Sequence, residues 1–511
     1  MSKTVRVAVK AVCIVLFCLL FTTSCGNTDS QQLAEPLQQS LTLRDLLDIA
    51  YERRQGIYPP DDERLEELTH GRVPHTINLR TEHYLQLHPG RLRISYQDAK
   101  YDAQLFFDIL RQVYGGYIYF GGDNVFMPIF DGILEKLASR ETWVIDHFAE
   151  LLHTSLNPYI HDGHVIIGYI NFMGSFQSDY SVYASHTVFD RTENGFRNRD
   201  NGLYVKDVVG YDKDDIFRLT VSEYGELTYT AVITGQYDSG TTLTIIYKND
   251  ESEEMPFDLL RGTRPRYQEP SLDFVDGFPI VTIDRMYFEH VIIEDIENAN
   301  TFLSFVDELR DEPAIIIDLR GNPGGNAFLA PRWLYRLVGE HVVANGVQLI
   351  AEDYDFAMWR RGDSPGALQP PCEIREREVY TPLSDRHAIL HRSDPANFNP
   401  MVSNDKIIIF LTGRHTFSAA EDFVDMAFNM ENTIVIGQNT GGALFTNMCF
   451  PIRYLPNSGV VFGLGASMRI HAEAHNFREG VGFAPDLWVP HQDDALPAAL
   501  ALLRNHFADG E

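Results

Sequence analysis

Three short segments made almost wholly of apolar residues alternate with amphipathic segments in the second half of the chain, and this alternation restricts the fold more than any other feature. They read "AIIIDL", "KIIIFLTG" and "TIVIG", within residues 314–437. Strands that are apolar on both faces must be covered on both faces, as in parallel sheets flanked by helices. A strand "FPIVTIDRMYF" precedes them, and helices are predicted over 295–310, 327–338 and 418–430. The sequence therefore predicts an α/β fold with a mostly parallel sheet.

The chain of 511 residues is too long for one ordinary domain. Helical periodicity begins near Tyr96, whereas 173–265 alternates between apolar and polar residues, as in short β-strands. The stretch 345–402 is rich in Pro, Arg and Asp and is predicted to be irregular. The predicted units are a lipoprotein-type signal at 1–25, a tether and N-terminal extension at 26–95, a helical subdomain at 96–172, a β-rich unit at 173–270 and the α/β core at 271–511.

The N-terminus has the composition of a secretory signal. Three basic residues, Lys3, Arg6 and Lys10, precede the apolar run "AVCIVLFCLLF" and the small residues "TTSC". The ending on Cys25 resembles a bacterial lipoprotein signal, although Thr22 stands where leucine is usual. The resemblance implies lipidation of Cys25, export and anchoring to a membrane of the bacterial cell envelope. Cleavage at another small residue and a retained membrane helix are the alternatives.

Net charge and cysteine usage exclude several classes of function. The formal net charge is −30 and no run of Lys or Arg is long enough to follow a phosphate backbone, so nucleic acid is not an expected partner. Outside the signal there are two cysteines, Cys372 and Cys449, and no C-x-x-C pair. Neither structural zinc nor dithiol chemistry is indicated, and no metal or cofactor is expected.

One serine lies where a parallel sheet would place a functional site. Ser418 in "GRHTFSAAEDF" follows the strand "KIIIFLTG", and ligands bind beyond the carboxyl ends of such strands. With Glu421 it also forms the S-x-x-E pattern of a helix capping box. From the local pattern, Ser418 is either a helix cap or a nucleophile.

A nucleophilic serine needs a base, and the base is predicted to be a histidine. No lysine follows Ser418, and Lys406 starts the preceding strand, at its opposite end. Of 18 histidines, His164 in "HDGHV" lies at a tight turn between the helical unit and a strand, whereas His415 is too close in sequence to reach back to Ser418. The grouping of His161, Asp162 and His164 matches no common metal motif.

Four segments in order resemble the core of the S41 peptidases, which include the C-terminal processing proteases. They are "IIIDLRGNPGGN", "TFSAAEDF", "VIGQNTGG" and "EGVGFAPDLWV", within about residues 275–490. The resemblance implies a ClpP- or crotonase-like core, a serine endopeptidase activity and a peptide or unfolded protein as substrate.

The resemblance also implies the site residues. The processing proteases use a lysine base, but Ala443 stands at that position. The resemblance is therefore to the members with a histidine base, such as the tricorn core. It implies Ser418 as nucleophile, His164 as base in an "L-x-D-x-H"-like context and Glu479 as a late member of the relay. Glu479 would support the imidazole directly or through another hydroxyl. The glycine loop would supply one oxyanion donor at Gly324 or Gly325, and the Ala419 N–H the other.

The β-rich unit departs from the family pattern. Processing proteases carry a PDZ domain at this point, and the resemblance implies a PDZ-like module at 173–270, which has the right length and β character but no clear carboxylate-binding loop. Two alternatives to a peptidase remain open: an inactive S41-like lipoprotein that binds peptides or apolar ligands, and an esterase that uses the same residues.

Overall fold

The computed structural model describes most of the chain from residue 41 onward. The described residues are 41–55, 91–172, 181–238, 240–260, 268–287, 293–345, 347–350, 379–384, 387–391, 401–449, 453–471 and 477–508. The predicted signal with Cys25, most of the tether, and Cys372 lie outside them. No helix in the described part of the chain is long and apolar enough to cross a membrane.

Helix α1, Leu43–Arg54, belongs to the predicted N-terminal extension and packs against the core. A capping box between Thr42 and Asp45 starts the helix, with N–H to oxygen distances of 2.7 and 3.2 Å. At its other end the Arg54 guanidinium donates to the carboxylate of Asp486 and, at 2.9 Å, to the Thr433 carbonyl. This buried ion pair fixes the extension to the parallel sheet.

The helical subdomain consists of three helices and two pairs of very short strands. Its elements are β1 Arg93–Ser95, α2 Tyr96–Val113, α3 Gly122–Leu137, β2 Thr142–Val144, α4 Ile145–Leu156, β3 Ile166–Ile167 and β4 Ile170–Asn171. Ser95 caps α2, accepting a hydrogen bond from the Asp98 N–H at 3.1 Å. The apolar face predicted for α2, which includes Ala99, Phe106 and Leu110, is fully buried. The 3.6-residue period therefore located this helix correctly.

The β-rich segment forms a run of mostly antiparallel strands. They are β5 Val182–Ser185, β6 Phe189–Thr192, β7 Gly195–Asn198, β8 Val205–Val208, β9 Phe217–Val221, β10 Leu227–Thr234, β11 Thr242–Tyr247 and β12 Ser252–Leu259, with the short helix α5 Lys213–Ile216 before β9. Strand β10 pairs with β5, β6 and β9. Strand β12 pairs with β5 and β11.

The remaining elements build the core and its appendages. They are β13 Ser271–Val275, β14 Phe278–Thr282, α6 Ile293–Ser304, α7 Val306–Leu309, β15 Ala314–Asp318, α8 Leu329–Val338, β16 Val347–Ile350, β17 Val379–Ser384, β18 His387–His391, β19 Ile407–Thr412, α9 Ala419–Ala427, β20 Thr433–Gly437, β21 Thr446–Cys449, β22 Arg453–Tyr454, β23 Val461–Gly463, β24 Gly465–Ile470, β25 Leu487–Trp488 and α10 Ala495–Ala508. The helices predicted over 295–310, 327–338 and 418–430 are thus present within a few residues of the expected bounds.

The predicted parallel sheet is confirmed. Strands β14, β15, β19, β20 and β25 run parallel in that order. Every residue of β19 and of β20 is buried, because α9 packs on one face of the sheet and α10 packs on the other. Their carboxyl ends, which carry the glycine loop and the Ser418 turn, lie at one edge.

The β-rich strands continue this sheet. Strand β25 pairs in parallel with β9 through Trp488 and Thr220, so that 14 strands share one mixed sheet. The Thr220 hydroxyl reinforces the junction by donating to the Trp488 carbonyl at 2.6 Å. The β-rich segment is therefore hydrogen-bonded edge to edge with the core.

Part of the stretch predicted to be irregular forms strands. Strands β16, β17 and β18 from residues 345–402 join β24 and β21 in a five-stranded sheet. The pairing of β17 with β18 is interrupted between Pro382 and Ser384. A proline is tolerated at such an irregularity because it cannot donate to the ladder, and its presence masked the strand pattern in the sequence.

Candidate active site

The carboxyl ends of β15 and β19 place two backbone segments against each other. The loop after β15 carries Gly324 and Gly325, and the turn after β19 carries Ser418. The Phe417 N–H donates to the Asn322 carbonyl at 3.0 Å, which joins the two segments. The Asn322 side chain fixes the loop further by donating to the Ile283 carbonyl at 2.9 Å.

Ser418 has an unusual backbone conformation, with φ 53° and ψ −120°. A positive φ is strained for a residue with a Cβ, and such strain persists only where the surroundings impose it. Its N–H donates to Glu421 Oε2 at 2.9 Å, and its carbonyl accepts from the Asp422 N–H at 3.0 Å. Helix α9 begins at the next residue, so the side chain of Ser418 lies at the helix N-terminus.

His164 reaches Ser418 from the helical subdomain. Its Nε2 lies 3.0 Å from Ser418 Oγ, although 254 residues separate the two in the sequence. Asp162 positions the turn that carries His164: Oδ1 accepts from the His164 N–H at 2.9 Å, while Oδ2 accepts from the hydroxyls of Tyr114 and Thr446, each at 2.8 Å. The buried Asp162 carboxylate therefore joins α2, the His164 turn and β21.

Burial lowers the pKa of the His164 imidazole, against the opposing charges of Asp162 and Asp422. The neutral ring is thus favoured, and Nε2 is available to accept a proton from the hydroxyl. In that tautomer Nδ1 carries the hydrogen, and Nδ1 is buried without a hydrogen-bond partner among the described residues.

Glu421 is wholly buried and holds the Ser418 turn to the segment that follows β20. Beyond the Ser418 N–H, its carboxylate accepts from the Thr440 hydroxyl at 2.6 Å and from the N–H groups of Gly442 and Ala443 at 2.8 and 2.7 Å. Burial raises its pKa to about 7, and these hydrogen bonds oppose the rise. Glu421 therefore braces the turn, a role that its place in a capping box only partly indicates.

Glu479 contacts the backbone beside His164 rather than the imidazole. Its Oε1 accepts from the Gly163 N–H at 2.9 Å, and its Oε2 accepts from the N–H groups of Leu444 and Phe445 at 3.1 and 2.9 Å. Part of the residue remains exposed, but its carboxylate is enclosed by these donors. Burial, followed by the charge of Asp162, raises the pKa of Glu479 well above its ordinary value.

The glycine loop approaches Ser418 closely. A Cβ on Gly324 would lie 2.6 Å from the Phe417 carbonyl oxygen and 2.9 Å from the Ala419 nitrogen, so only glycine fits there. The Gly324 N–H donates to Asn322 Oδ1 at 2.9 Å. The N–H groups of Gly325 and Ala419 have no hydrogen-bond partner among the described residues.

The structure thus brings together the side chains of Ser418 and His164, with Gly324, Gly325 and Ala419 beside them. Glu479 contacts the backbone of Gly163, the residue before His164, and not the imidazole. Sequence reasoning did not assign roles to Tyr114, Thr446 or Asn322. Asn322 lies within the segment "IIIDLRGNPGGN", whereas no motif marks Tyr114 or Thr446, because each acts through its hydroxyl on the distant Asp162. No group of three or more His, Cys, Asp or Glu residues in the described part of the chain is arranged to hold a metal ion.

The sequence model of peptidase family S41 matches residues 280–489. Over these residues the core is similar to that family of serine-type peptidases. It begins after His164, so the family match contains Ser418 and Glu479 but not the histidine. Among curated protein sequences, no significant match is found.

Solved structures with a similar course of the chain include three that cover about four fifths of this one. Mature CPAF is 14% identical, with a TM-score of 0.42, over 81% of this chain and 99% of that chain. A lipoprotein from Streptococcus agalactiae is 12% identical, with a TM-score of 0.38, over 80% and 96%. The photosystem II D1 C-terminal processing protease is 10% identical, with a TM-score of 0.35, over 80% and 97%.

Proposed function

We propose that this chain, whose residues 280–489 match the model of peptidase family S41, is an exported serine endopeptidase that hydrolyses peptide bonds through Ser418 and His164. The observation that carries the proposal is the distance of 3.0 Å between Ser418 Oγ and His164 Nε2. Hydrogen-bond reach between a hydroxyl and an imidazole is the first requirement for a general base. The strained φ of Ser418 supports the same role, because it presents the hydroxyl at a helix N-terminus.

In the proposed reaction Ser418 Oγ forms a bond to the carbonyl carbon of the peptide, and its proton passes to His164 Nε2. The tetrahedral intermediate then collapses: the C–N bond breaks and the leaving amine takes the proton from His164. A water molecule, deprotonated by the same imidazole, hydrolyses the acyl-enzyme and releases Ser418. The reaction consumes one water for each peptide bond, and His164 ends as it began.

Two backbone N–H groups are the proposed oxyanion donors, those of Gly325 and Ala419. Of the two glycines considered, Gly325 is the better candidate because the Gly324 N–H is engaged by Asn322. Helix α9 begins at Ala419, and its positive end adds to the stabilisation of negative charge. Glu479 is proposed to act as a positioning residue that holds the backbone on either side of the site.

The test is fluorophosphonate labelling of the chain without residues 1–25, with the modified peptide mapped. We expect label on Ser418 in the wild type and in His147→Ala, an exposed-histidine control, and none in Ser418→Ala or His164→Ala. If folded wild-type protein takes up no label, the chain is a peptide- or ligand-binding module and not a peptidase. A labelled enzyme that cleaves esters but no member of a peptide library would make it an esterase.

Export and lipid anchoring rest on the N-terminal sequence. We expect cells that express the full chain to incorporate labelled palmitate into it, and Cys25→Ser to abolish that incorporation and to release the protein from the membrane. If the Cys25→Ser protein stays in the membrane, the anchor is a retained apolar helix and not a lipid.

A further inference from the structure

A cavity lies where the β-rich strands meet the carboxyl edge of the parallel sheet. It has a volume of about 270 Å³, and its lining comes from the ends of β5 and β12, from Gln438 after β20, and from residues 490–493 after β25. None of these residues belongs to the proposed catalytic site. The volume suits one amino-acid side chain rather than a larger ligand.

Gln438 supplies a buried acceptor in the lining of this cavity. The residue is only 1% exposed, and its backbone is held by a hydrogen bond from its N–H to the Thr412 carbonyl at 3.1 Å. Its Nε2 donates to the Pro490 carbonyl at 3.2 Å, whereas its Oε1 has no partner among the described residues. Because the Pro490 carbonyl can only accept, the amide cannot be flipped, and a buried oxygen is left for a donor.

The rim of the cavity carries negative charge and two imidazole rings. Asp258 and Asp493 line it, and the side chain of Asp258 is 72% exposed. His186 Nε2 lies 2.8 Å from Asp258 Oδ2, and the His186 ring stacks on that of His491 at 5.6 Å and 26°. Carboxylates with adjacent flat rings favour a planar cation, which can donate to the oxygens and stack on the rings.

Part of the lining is apolar: Ala184 and Leu260 are buried, and Leu259 is exposed. Such walls accommodate the methylene stem of a long basic side chain, whose charged head needs polar partners. With a formal net charge of −30, the whole chain also attracts cationic ligands.

We propose that this cavity binds the guanidinium group of an arginine side chain in a bound peptide. Its N–H groups would donate to Gln438 Oε1 at the base and to the carboxylates of Asp258 and Asp493 at the rim. A guanidinium is favoured over an ammonium because it presents five donors in one plane and stacks on the imidazole pair.

The cavity borders the candidate active site. Gln492, in its lining, donates from Nε2 to the Arg320 carbonyl at 3.0 Å, and Arg320 Nη1 donates to the Gln492 carbonyl at 2.9 Å. Arg320 begins the glycine loop, and a Cβ on Gly413 would lie 2.6 Å from the Gln492 side chain. A peptide that extends from the Ser418 turn can therefore place one of its basic side chains in this cavity.

The experiment is isothermal titration of the Ser418→Ala chain, which cannot turn over a ligand. The probes are a capped pentapeptide with one central arginine among alanines, its citrulline counterpart, and N-acetyl-arginine amide. Citrulline keeps the shape of arginine but lacks its charge. We expect the arginine peptide to bind at least tenfold more tightly than the citrulline peptide. Adding Gln438→Leu should weaken it at least tenfold, and Asp258→Asn a few fold.

Glu135→Gln, an exposed carboxylate on α3, is the matched control and should leave the dissociation constant unchanged. Asp258→Asn lies at the exposed rim and keeps the test valid if Gln438→Leu does not fold. Binding of the arginine peptide supports the proposal. Whether N-acetyl-arginine amide also binds shows if the cavity needs an arginine within a peptide or accepts the isolated residue. Absent binding, equal affinity for arginine and citrulline, or no effect of the two cavity variants would overturn it. These titrations do not depend on catalysis. The cavity can therefore fail to bind arginine while Ser418 is labelled, and it can bind arginine while Ser418 takes up no label.

Discussion

Ser418 Oγ and His164 Nε2 lie 3.0 Å apart, yet Ser418 follows a strand of the parallel sheet and His164 belongs to the helical subdomain. The contact is maintained from both sides. Glu421 braces the serine turn, while Asp162 and Glu479 fix the backbone around the histidine. The geometry of the pair thus depends on how two structural units pack, and several consequences can be measured.

The rate of fluorophosphonate labelling should depend on the protonation of His164. Burial lowers the pKa of this imidazole from 6.5, so the neutral form that accepts the serine proton persists to more acidic pH. We therefore expect the acidic limb of the labelling rate to have its midpoint below 6.5. A midpoint above that value would show that the neighbouring carboxylates, rather than burial, control the ring.

Glu479→Gln should slow labelling without moving that midpoint. Glutamine keeps one oxygen, so either the Gly163 N–H or the Leu444 and Phe445 pair loses its acceptor, at a cost of about 1–3 kcal/mol and roughly tenfold or more in rate. The imidazole does not contact Glu479, so its pKa should stay where it is. A clear shift of the pH profile would instead indicate that Glu479 acts on the ring itself, and Glu135→Gln serves as the unaffected comparison.

Gly324→Ala should abolish labelling, whereas Gly339→Ala should not. Both glycines have a positive φ, 92° and 78°, so alanine strains the backbone at each, by about 1 kcal/mol. Only at Gly324 does the new Cβ also collide with the Phe417 carbonyl, at 2.6 Å, while nothing lies within 4 Å at Gly339. Labelling rates and thermal midpoints of the two variants should diverge. Equal rates would mean that the loop can move away from Ser418 at little cost.

Glu421 should make the stability of the protein depend on pH. Its pKa rises from 4.5 in the unfolded chain to about 7 in the folded one, so the folded state binds the proton more tightly. The stabilisation from that proton is complete below pH 4.5 and is lost as the pH rises through 7, a change of about 3 kcal/mol. The measurement is the free energy of unfolding of the wild type and of Glu421→Gln across this pH range. As the pH rises, the value for the wild type should fall relative to the value for Glu421→Gln.

Glu135→Gln provides the control for that comparison, because this glutamate is exposed and its removal should leave the pH dependence as it is in the wild type. A difference between wild type and Glu421→Gln that is independent of pH would contradict the assignment. It would mean that the four hydrogen bonds to the carboxylate outweigh the cost of its burial.

The parallel sheet and the position of Ser418 at a strand-to-helix turn follow from the sequence alone. Runs such as "AIIIDL" and "KIIIFLTG" have no polar face, so helices must cover both sides, and the turn at the carboxyl end follows from chain order. The absence of any lysine after Ser418 also directed the search for a base to histidine. These are local patterns, and periodicity records local burial well.

Which groups meet depends on the tertiary structure. It joined the β-rich strands to the parallel sheet through Trp488 and Thr220, and it set Glu479 against the Gly163 N–H instead of the imidazole. It also left the Gly325 N–H available while Asn322 engaged that of Gly324. Such contacts connect residues up to 316 positions apart, and they depend on packing distances of a few tenths of an ångström that no sequence period encodes.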